Sequence, residues 1–213
     1  MLRIQWIIIS LFVLMSCSSP AKTSQDEFSI SDYKGELDTA TIAGGCFWCV
    51  EASFEQIKGV VEAVSGYAGG SKSDADYRKV SSGRTSHAET VQVYYDPEII
   101  DFKTILMIFF TAHDPTQLNR QGPDVGPQYR SAIFYHDENQ KMIAEQVIKS
   151  LSAEFSEPIV TELNVYKTFY VAEAYHQDYE EKHPFNPYIL NVSKPKIDRV
   201  KKKFSDILKE DFK

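Results

Sequence analysis

Residues 39–59 read TATIAGGCFWCVEASFEQIKG, and this stretch sets the architecture of the chain. A short β-like run over residues 39–43 ends in two glycines, and a glycine pair allows a tight turn from strand to helix. A helical pattern follows and stops at Gly59. Its apolar residues at helical spacing are Val50, Phe54 and Ile57. The stretch therefore predicts a strand and then a helix over residues 46–58 that begins with a cysteine.

The patterns downstream predict alternating strands and helices. Strands are predicted at residues 60–65, 88–95, 131–135 and 159–163. Helices are predicted at residues 101–113, 137–155, 170–182 and 196–212. Residues 66–70 are interpreted as a loose connection, and strand 88–95 as solvated on one face.

The order of elements over residues 39–135 is β-α-β-β-α-β, which is the order of the split, ferredoxin-like motif. The sequence therefore predicts an α+β domain with a mixed or antiparallel sheet, helices on one face and extra helices at the C-terminus. Residues 71–86 and 114–130 are predicted as long loops. Loops of this length inside a compact domain are usually functional, so we expect them to build the active site.

The composition limits the classes of function. The chain has 213 residues, a net charge of −7 and 43% hydrophobic residues, which is typical of one domain with a tail. The acidic balance argues against nucleic-acid binding, and we expect a monomer. Three cysteines are too few for a disulfide scaffold. No two histidines have the spacing of paired zinc ligands, so no metal site is predicted.

The first residues resemble a secretion signal. Arg3 precedes a mostly apolar run that is too short to span a bilayer and that stops at Leu14-Met15-Ser16-Cys17, a bacterial lipobox pattern. The sequence predicts a lipoprotein signal peptide over 1–16, a lipidated flexible tether over 17–38 and the catalytic domain over 39–213. Cys17 would carry the lipid that anchors the protein in the bacterial cell envelope. The alternative is an ordinary signal peptide in which Cys17 is incidental.

Cys46 stands at the predicted N-terminus of a helix, where unpaired amides and the helix dipole lower the pKa of a thiol. Phe47 and Trp48 beside it suggest a pocket for an apolar group, or else ordinary helix packing. Cys49 lies three residues on, so its Cα atom would be roughly 5 Å from that of Cys46, a distance at which a disulfide can form.

Several segments in order resemble the type A peptide methionine sulfoxide reductases. They are GGCFWCVE (44–51), GYAGG (66–70), HAETVQVYYDP (87–97), HDPTQLNRQGPDVGPQYRSAIFY (113–135) and AEAYHQDYEEK (172–182). The resemblance covers about residues 40–190. It implies reduction of the S epimer of methionine sulfoxide, in oxidised proteins, in peptides or as the free amino acid.

The resemblance also implies a role for each matched residue. Cys46 matches the nucleophile, and Glu89 matches the acid that protonates the sulfoxide oxygen. Tyr77 and Tyr129 match hydroxyl groups that bond to that oxygen. The remaining matches are a carboxylate near the site and two walls around the substrate methyl group, namely Asp124, Phe47 and Trp48. An acid with a raised pKa suits this chemistry, because a sulfoxide oxygen leaves poorly until it is protonated.

The recycling step departs from the commoner family pattern, which has glycine in place of Cys49 and cysteines near the C-terminus. This chain has no cysteine after Cys49. It therefore resembles a CFWC variant in which a Cys46 sulfenic acid condenses with Cys49. The implied external reductant is thioredoxin or a similar thiol, with no bound cofactor.

Two other functions fit parts of the pattern. A thioredoxin-like disulfide oxidoreductase would also place a CxxC pair after a strand at a helix start, and Pro158 could mimic its proline. The bulky Phe-Trp spacer and the order of elements argue against it. A non-catalytic lipoprotein that uses the domain for binding is the third alternative, and no specific residue favours it.

Overall fold

The computed structural model describes residue 30 and residues 33–212. The predicted signal peptide, the predicted lipidation site Cys17 and most of the predicted tether lie outside the described residues. Within the described part, no helix combines the length and the hydropathy needed to cross a membrane.

The strands form one large sheet and one small hairpin. The strands are β1 (Asp38–Gly44), β2 (Val60–Ala68), β3 (Ala88–Tyr95), β4 (Arg120–Gln121), β5 (Asp124–Val125), β6 (Ser131–Tyr135), β7 (Glu162–Val165) and β8 (Phe169–Val171). The α-helices are α1 (Phe47–Glu55), α2 (Tyr77–Val80), α3 (Phe102–Ala112), α4 (Glu138–Leu151), α5 (Tyr179–Lys182) and α6 (Lys194–Lys203). A π-helical turn at Ile189–Ser193 runs directly into α6.

The large sheet has the order β7-β6-β1-β3-β2-β8. Its neighbours pair antiparallel except for β6 and β7, which are parallel and joined by α4. The central order β6-β1-β3-β2 is that of the ferredoxin-like motif, so the predicted fold class is confirmed. Helices α1 and α3 both pack against the sheet and against each other, and α6 packs on both of them.

Local sequence signals account for where the main helices begin. Asp101 Oδ1 accepts the amide hydrogen of Thr104 at 2.7 Å and so caps α3 at the residue where the sequence predicts the helix to begin. Asp137 caps α4 in the same way through the amide of Gln140. Phe54, Ile105 and Phe109 are fully buried between the helices and the sheet. Burial of a side chain of this size contributes about 1.5–3 kcal/mol to folding.

Strand β3 is buried on both faces, so the prediction of a solvated face is wrong. The polar residues of its second face bond to groups of neighbouring segments and of the strand itself. Gln92 Nε2 donates to Thr41 Oγ1 at 3.1 Å and lies 3.5 Å from the Tyr166 hydroxyl. Polar residues in alternation therefore mark an internal hydrogen-bonded layer in this strand, because each finds a partner inside the protein.

Two further predictions are wrong for a shared reason. They are the loose connection at residues 66–70 and the helix at residues 170–182. Strand β2 continues to Ala68 because it pairs with β3 on one side and with β8 on the other. Gly66 permits this pairing, since a Cβ atom there would lie 2.2 Å from Phe169 Cζ. Residues after β8 form only a short turn and α5.

The last predicted strand is displaced to β7, and the last predicted helix ends at Lys203.

Candidate active site

Cys46 lies at the N-cap of α1, with φ −57°, ψ 124° and 6% of its surface exposed. The turn before it depends on Gly45, whose φ of +97° favours glycine and whose Cβ would lie 2.5 Å from Gln121 Cγ. Burial is the largest cause that raises the pKa of Cys46 well above its usual value, followed by the hydrogen bond with Cys49. The prediction that the helix start lowers this pKa is therefore wrong for the reduced pair.

Glu89 projects from β3 towards the start of α1 and is 2% exposed. Its Oε2 accepts the amide hydrogen of Phe47 at 3.2 Å, so the first helix amide is engaged by Glu89 and is not free for the Cys46 sulfur. Burial raises the pKa of Glu89 to about 8 despite that hydrogen bond, and the nearby charges of Asp124 and Cys49 add to the effect. Glu89 is therefore mainly a neutral acid at pH 7.

Both predicted long loops bring a tyrosine to this acid. Tyr77 opens α2, and burial together with the charges of Glu89 and Cys46 raises its pKa to about 12. Tyr129 ends the turn at Pro127–Tyr129, and burial followed by the charges of Glu89 and Cys46 raises its pKa. Both phenols therefore stay protonated and can donate hydrogen bonds at neutral pH.

The backbone of Tyr77 is fixed by a carboxylate from the segment after β8. Glu173 Oε1 accepts the Tyr77 amide hydrogen at 3.0 Å, and Glu173 Oε2 accepts the Tyr67 hydroxyl at 2.8 Å. Tyr67 lies opposite Glu89 in the register of β2 and β3. The position of the Tyr77 ring is thus tied to the same pair of strands that carries the acid.

Asp124 belongs to the short strand β5 and binds a residue that sequence reasoning missed. The Tyr188 hydroxyl donates to Asp124 Oδ2 at 2.6 Å. The same hydroxyl lies 4.0 Å from Cys49 Sγ. Burial and the charges of both cysteines raise the pKa of Tyr188. Asp124 therefore orients a phenol that faces the cysteine pair.

Phe47 and Trp48 form part of an aromatic cluster around the start of α1. Phe47 is 1% exposed, whereas Trp48 is only half-buried and stacks on Tyr179 with ring centroids 3.7 Å apart. Trp48 Nε1 donates to His176 Nδ1 at 3.2 Å, and the His176 ring centroid lies 4.3 Å from that of Tyr77. Because Nδ1 accepts, the His176 proton resides on Nε2. The indole plane is therefore held from two directions.

Cys49 is buried on the same turn of α1 and is a free thiol, as is Cys46. Its Sγ lies 3.0 Å from Ser193 Oγ and 3.9 Å from Lys196 Nζ. The hydrogen bond from Cys46 is the largest cause that lowers the pKa of Cys49, and with Lys196 and Ser193 it outweighs burial and brings the value to about 6. Cys49 is therefore the thiol of the reduced pair that ionises more readily.

Three carboxyl groups meet on another face of α1, where the sequence predicted no metal site. The ligand oxygens of Glu51, Glu55 and Asp178 lie within 4.8 Å of one another. Glu51 already accepts from the Ser65 hydroxyl at 2.7 Å and from the Asp178 amide at 3.1 Å. These bonds link α1, β2 and the start of α5, so the cluster has a structural explanation.

The structure thus brings together all the predicted site residues that it describes. They are Cys46, Phe47, Trp48, Cys49, Tyr77, Glu89, Asp124 and Tyr129. Sequence reasoning missed His176, Tyr188, Ser193 and Lys196. The segment AEAYHQDYEEK contains His176 and carries part of the family resemblance, but the sequence assigned no role to this histidine. Ser193 and Lys196 had no local signal, since they lie 144 and 147 residues from Cys49 in sequence.

A buried cysteine pair beside a neutral carboxyl group defines a thiol-based oxidoreductase. The family model described as peptide methionine sulfoxide reductase matches residues 38–208. The chain belongs to the peptide methionine sulfoxide reductase family. This membership decides against a thioredoxin-like oxidoreductase and against a purely binding domain.

Curated relatives and solved structures agree with this family. Peptide methionine sulfoxide reductase MsrA of Natronomonas pharaonis is 53% identical over 170 residues, which cover 79% of this chain and 96% of the relative. MsrA of Thermus thermophilus is 49% identical over 172 residues, which cover 81% and 98%. The crystal structure of reduced Mxr1 from Saccharomyces cerevisiae has a TM-score of 0.66 at 36% identity, covering 71% of this chain and 88% of that one. Methionine sulfoxide reductase A of Corynebacterium diphtheriae has a TM-score of 0.65 at 36% identity, with 74% and 80% covered.

Proposed function

We propose that this chain reduces methionine S-sulfoxide to methionine with Cys46 as the nucleophile. The observation that carries the proposal is a neutral, buried acid at the first helix amide after a buried thiol. Glu89 accepts the Phe47 amide hydrogen at 3.2 Å, and burial raises its pKa to about 8. A proton donor that remains protonated at pH 7 is what a sulfoxide oxygen requires before its bond to sulfur breaks.

The first step transfers the oxygen atom from the substrate to Cys46. Glu89 gives its proton to the sulfoxide oxygen, and the Cys46 proton moves to the Cys49 thiolate. The sulfur–oxygen bond of the sulfoxide breaks while oxygen bonds to the Cys46 sulfur. Methionine leaves, and the site then holds a Cys46 sulfenic acid, a Cys49 thiol and an ionised Glu89. The substrate sulfur is reduced by two electrons, and the Cys46 sulfur is oxidised by two.

The surrounding side chains hold the sulfoxide group in this proposal. Tyr77 and Tyr129 donate hydrogen bonds to the sulfoxide oxygen, since both phenols stay protonated at neutral pH. Asp124 acts through the Tyr188 hydroxyl that it binds. Phe47 and Trp48 enclose the methyl group, with the indole plane fixed by His176 and Tyr179. An apolar wall favours a methyl sulfoxide over a charged group.

The second step forms a disulfide. The Cys49 sulfur attacks the Cys46 sulfenic acid, the Cys49 proton passes to the leaving hydroxyl group, and one water molecule is released. A dithiol reductant, which we propose is thioredoxin, then reduces the Cys46–Cys49 disulfide and becomes a disulfide itself. Return of a proton to Glu89 restores the resting site. No bound cofactor takes part, because the two thiols carry both electrons.

The direct test supplies the reduced full-length chain with a racemic methyl aryl sulfoxide and dithiothreitol and follows both enantiomers by chiral chromatography. We expect the S enantiomer to be consumed and the R enantiomer to be recovered. Cys46→Ser is the matched control and should consume neither enantiomer, because the reducing sulfur is absent. Equal consumption of both enantiomers, or activity that survives in Cys46→Ser, would contradict the proposal.

We also propose that Cys17 carries a lipid and that the enzyme acts at the bacterial cell envelope on oxidised proteins and peptides. The support is the lipobox Leu14-Met15-Ser16-Cys17 at the end of the apolar run. Cys17→Ser should convert a membrane-bound protein into one that is unanchored or retained as the precursor. Fractionation of the mutant with membranes, together with no lipid label on Cys17 in the unmodified chain, would contradict the anchor.

A further inference from the structure

Lys196 is a buried cation whose partner is a cysteine. It lies on α6 with 8% of its surface exposed, and its Nζ atom is 3.9 Å from Cys49 Sγ. Within residues 33–212, no carboxylate lies within ion-pair distance of this ammonium group. Burial of an unpaired ammonium group is costly, so a buried lysine normally faces an anion. The group that fills this place here is the Cys49 sulfur.

Ser193 approaches the same sulfur from the preceding turn. It is fully buried, and its Oγ lies 3.0 Å from Cys49 Sγ. Ser193 ends the π-helical turn at Ile189–Ser193 that runs into α6, and π-helical turns are frequent at functional sites. Ser193 and Lys196 are three residues apart and therefore share a helix face. The π-helical turn and α6 together form the C-terminal segment, residues 189–203. One face of this segment thus presents a hydroxyl and an ammonium group to one sulfur atom.

We propose that Ser193 and Lys196 form an anion-holding site that keeps the Cys49 sulfur ionised in the reduced enzyme and positions it for disulfide formation. This inference rests on the proposed function, because it assigns to both residues a part in the second step. Both are positioning residues, since they act on Cys49 and touch no substrate. In the first step, the same ionised sulfur is the acceptor for the Cys46 proton.

The other groups around Cys49 do not supply this positive charge. Cys46 and Glu89 are acidic groups and carry no positive charge, and Tyr188 contributes a hydroxyl at 4.0 Å. His113 at the end of α3 is buried, and burial lowers its pKa to about 4, so it is neutral at pH 7. Lys196 is therefore the cation that faces Cys49, and its removal should have a measurable effect on thiol ionisation.

The test measures thiolate absorbance near 240 nm against pH in the reduced full-length chain. Cys46→Ser and Cys17→Ser are present in every variant, so that Cys49 is the remaining thiol, and the serine that replaces Cys46 still offers a hydroxyl donor. Lys196→Met should raise the titration midpoint by about one pH unit or more, the usual effect of an opposite charge at such a distance. Lys196→Arg should retain most of the shift. Lys202→Met, at an exposed position on the same helix, is the matched control and should leave the midpoint unchanged.

A kinetic measurement separates this inference from the proposed function. In chains that retain both cysteines of the pair, Lys196→Met should still produce methionine from the S-sulfoxide, while formation of the Cys46–Cys49 disulfide slows about threefold at pH 6.5, the loss of thiolate that a one-unit rise in pKa gives. If Lys196→Met does not fold, Ser193→Ala is titrated instead and should raise the midpoint to a smaller extent. An unchanged midpoint in whichever variant folds overturns the inference, even if the sulfoxide is reduced. Absence of sulfoxide reduction in the unmodified chain refutes the proposed function instead.

Discussion

The two sides of the first turn of α1 carry opposite chemistry. On the side of Cys46, β3 supplies a carboxyl group that burial keeps neutral, with the pKa of Glu89 at about 8. On the side of Cys49, the hydrogen bond from Cys46, together with Lys196 and Ser193 from the C-terminal segment, lowers the pKa of the thiol to about 6. A neutral carboxyl group and a thiol with a lowered pKa thus lie on the two sides of the first turn of α1.

The difference shows that the helix start does not by itself decide which cysteine ionises. The amide at that start is engaged by Glu89, whereas Lys196 reaches Cys49 from α6. A thiol at a helix N-terminus is often the more acidic one. In this chain that order is reversed, because burial raises the pKa of Cys46, while the hydrogen bond from Cys46, together with Lys196 and Ser193, lowers that of Cys49. The comparison predicts that the two sides can be disabled separately.

Removal of the acid should have the largest effect. We expect Glu89→Gln to retain the fold and to lower the single-turnover rate of methionine formation by about 10²–10⁴, the usual contribution of a positioned general acid. The loss should shrink as the solution is acidified, because solvent protons then replace the missing one. Rapid quench with separation of methionine from its sulfoxide gives the rate.

Glu51→Gln is the matched control for this prediction, since Glu51 is also 2% exposed and lies on α1 itself. Its partners are Ser65 and the Asp178 amide, so we expect a rate within about threefold of the unmodified chain, with some loss of stability from a weakened hydrogen bond. Equal losses in both variants would mean that burial of any acid near α1 matters, and the contrast between the two sides would fail.

Removal of the second thiol should have the next largest effect. Cys49→Ser should still give one methionine per chain, because loss of the neighbouring anion lets Cys46 ionise itself. Turnover supported by thioredoxin should fall by about 10-fold to 100-fold, since the sulfenic acid has no partner thiol. Dimedone should then label Cys46. If Cys49→Ser cycles with thioredoxin as fast as the unmodified chain, the reductant attacks the sulfenic acid directly.

The smallest effect concerns stability against pH. The folded-state pKa of Glu89 is raised from 4.5 to about 8, so its contribution to stability is complete below pH 4.5 and is lost as the pH rises through 8. The unmodified chain should therefore lose stability relative to Glu89→Gln between pH 5 and about 9. Urea unfolding at several pH values measures the difference. A difference that changes in the opposite direction would show that Glu89 is ionised in the folded protein.

The sequence predicted those parts of the fold whose signals are local. The bounds of β3 and β6 follow from alternation and from Pro97, and the start of α3 follows from Asp101, whose side chain caps the helix. Strand β8 could not be predicted in this way, because residues 169–171 become a strand only by pairing with the edge of β2. Long-range pairing overrides the helical pattern of that segment.

The same difference between local and long-range signals applies to the residues of the site. Cys46 and Cys49 were identifiable from their position at a helix start, whereas Glu89, Tyr77, Tyr129 and Asp124 were identified only through the resemblance to a family. Nothing local marks Glu89 as buried, since its burial depends on α1 packing across β3. Lys196 stands among the many charged residues of a surface-like helix. Only the folded structure shows that its ammonium group faces a sulfur atom.

The central claim is that one S-sulfoxide molecule converts the reduced cysteine pair into a disulfide within α1. The most direct measurement adds one equivalent of methionine S-sulfoxide to the reduced full-length chain, quenches with an alkylating agent and maps the thiols by mass spectrometry. The account predicts one methionine per chain, a Cys46–Cys49 disulfide and no reaction with the R epimer. Methionine formation that leaves Cys49 fully alkylated, or equal oxidation by both epimers, would contradict it.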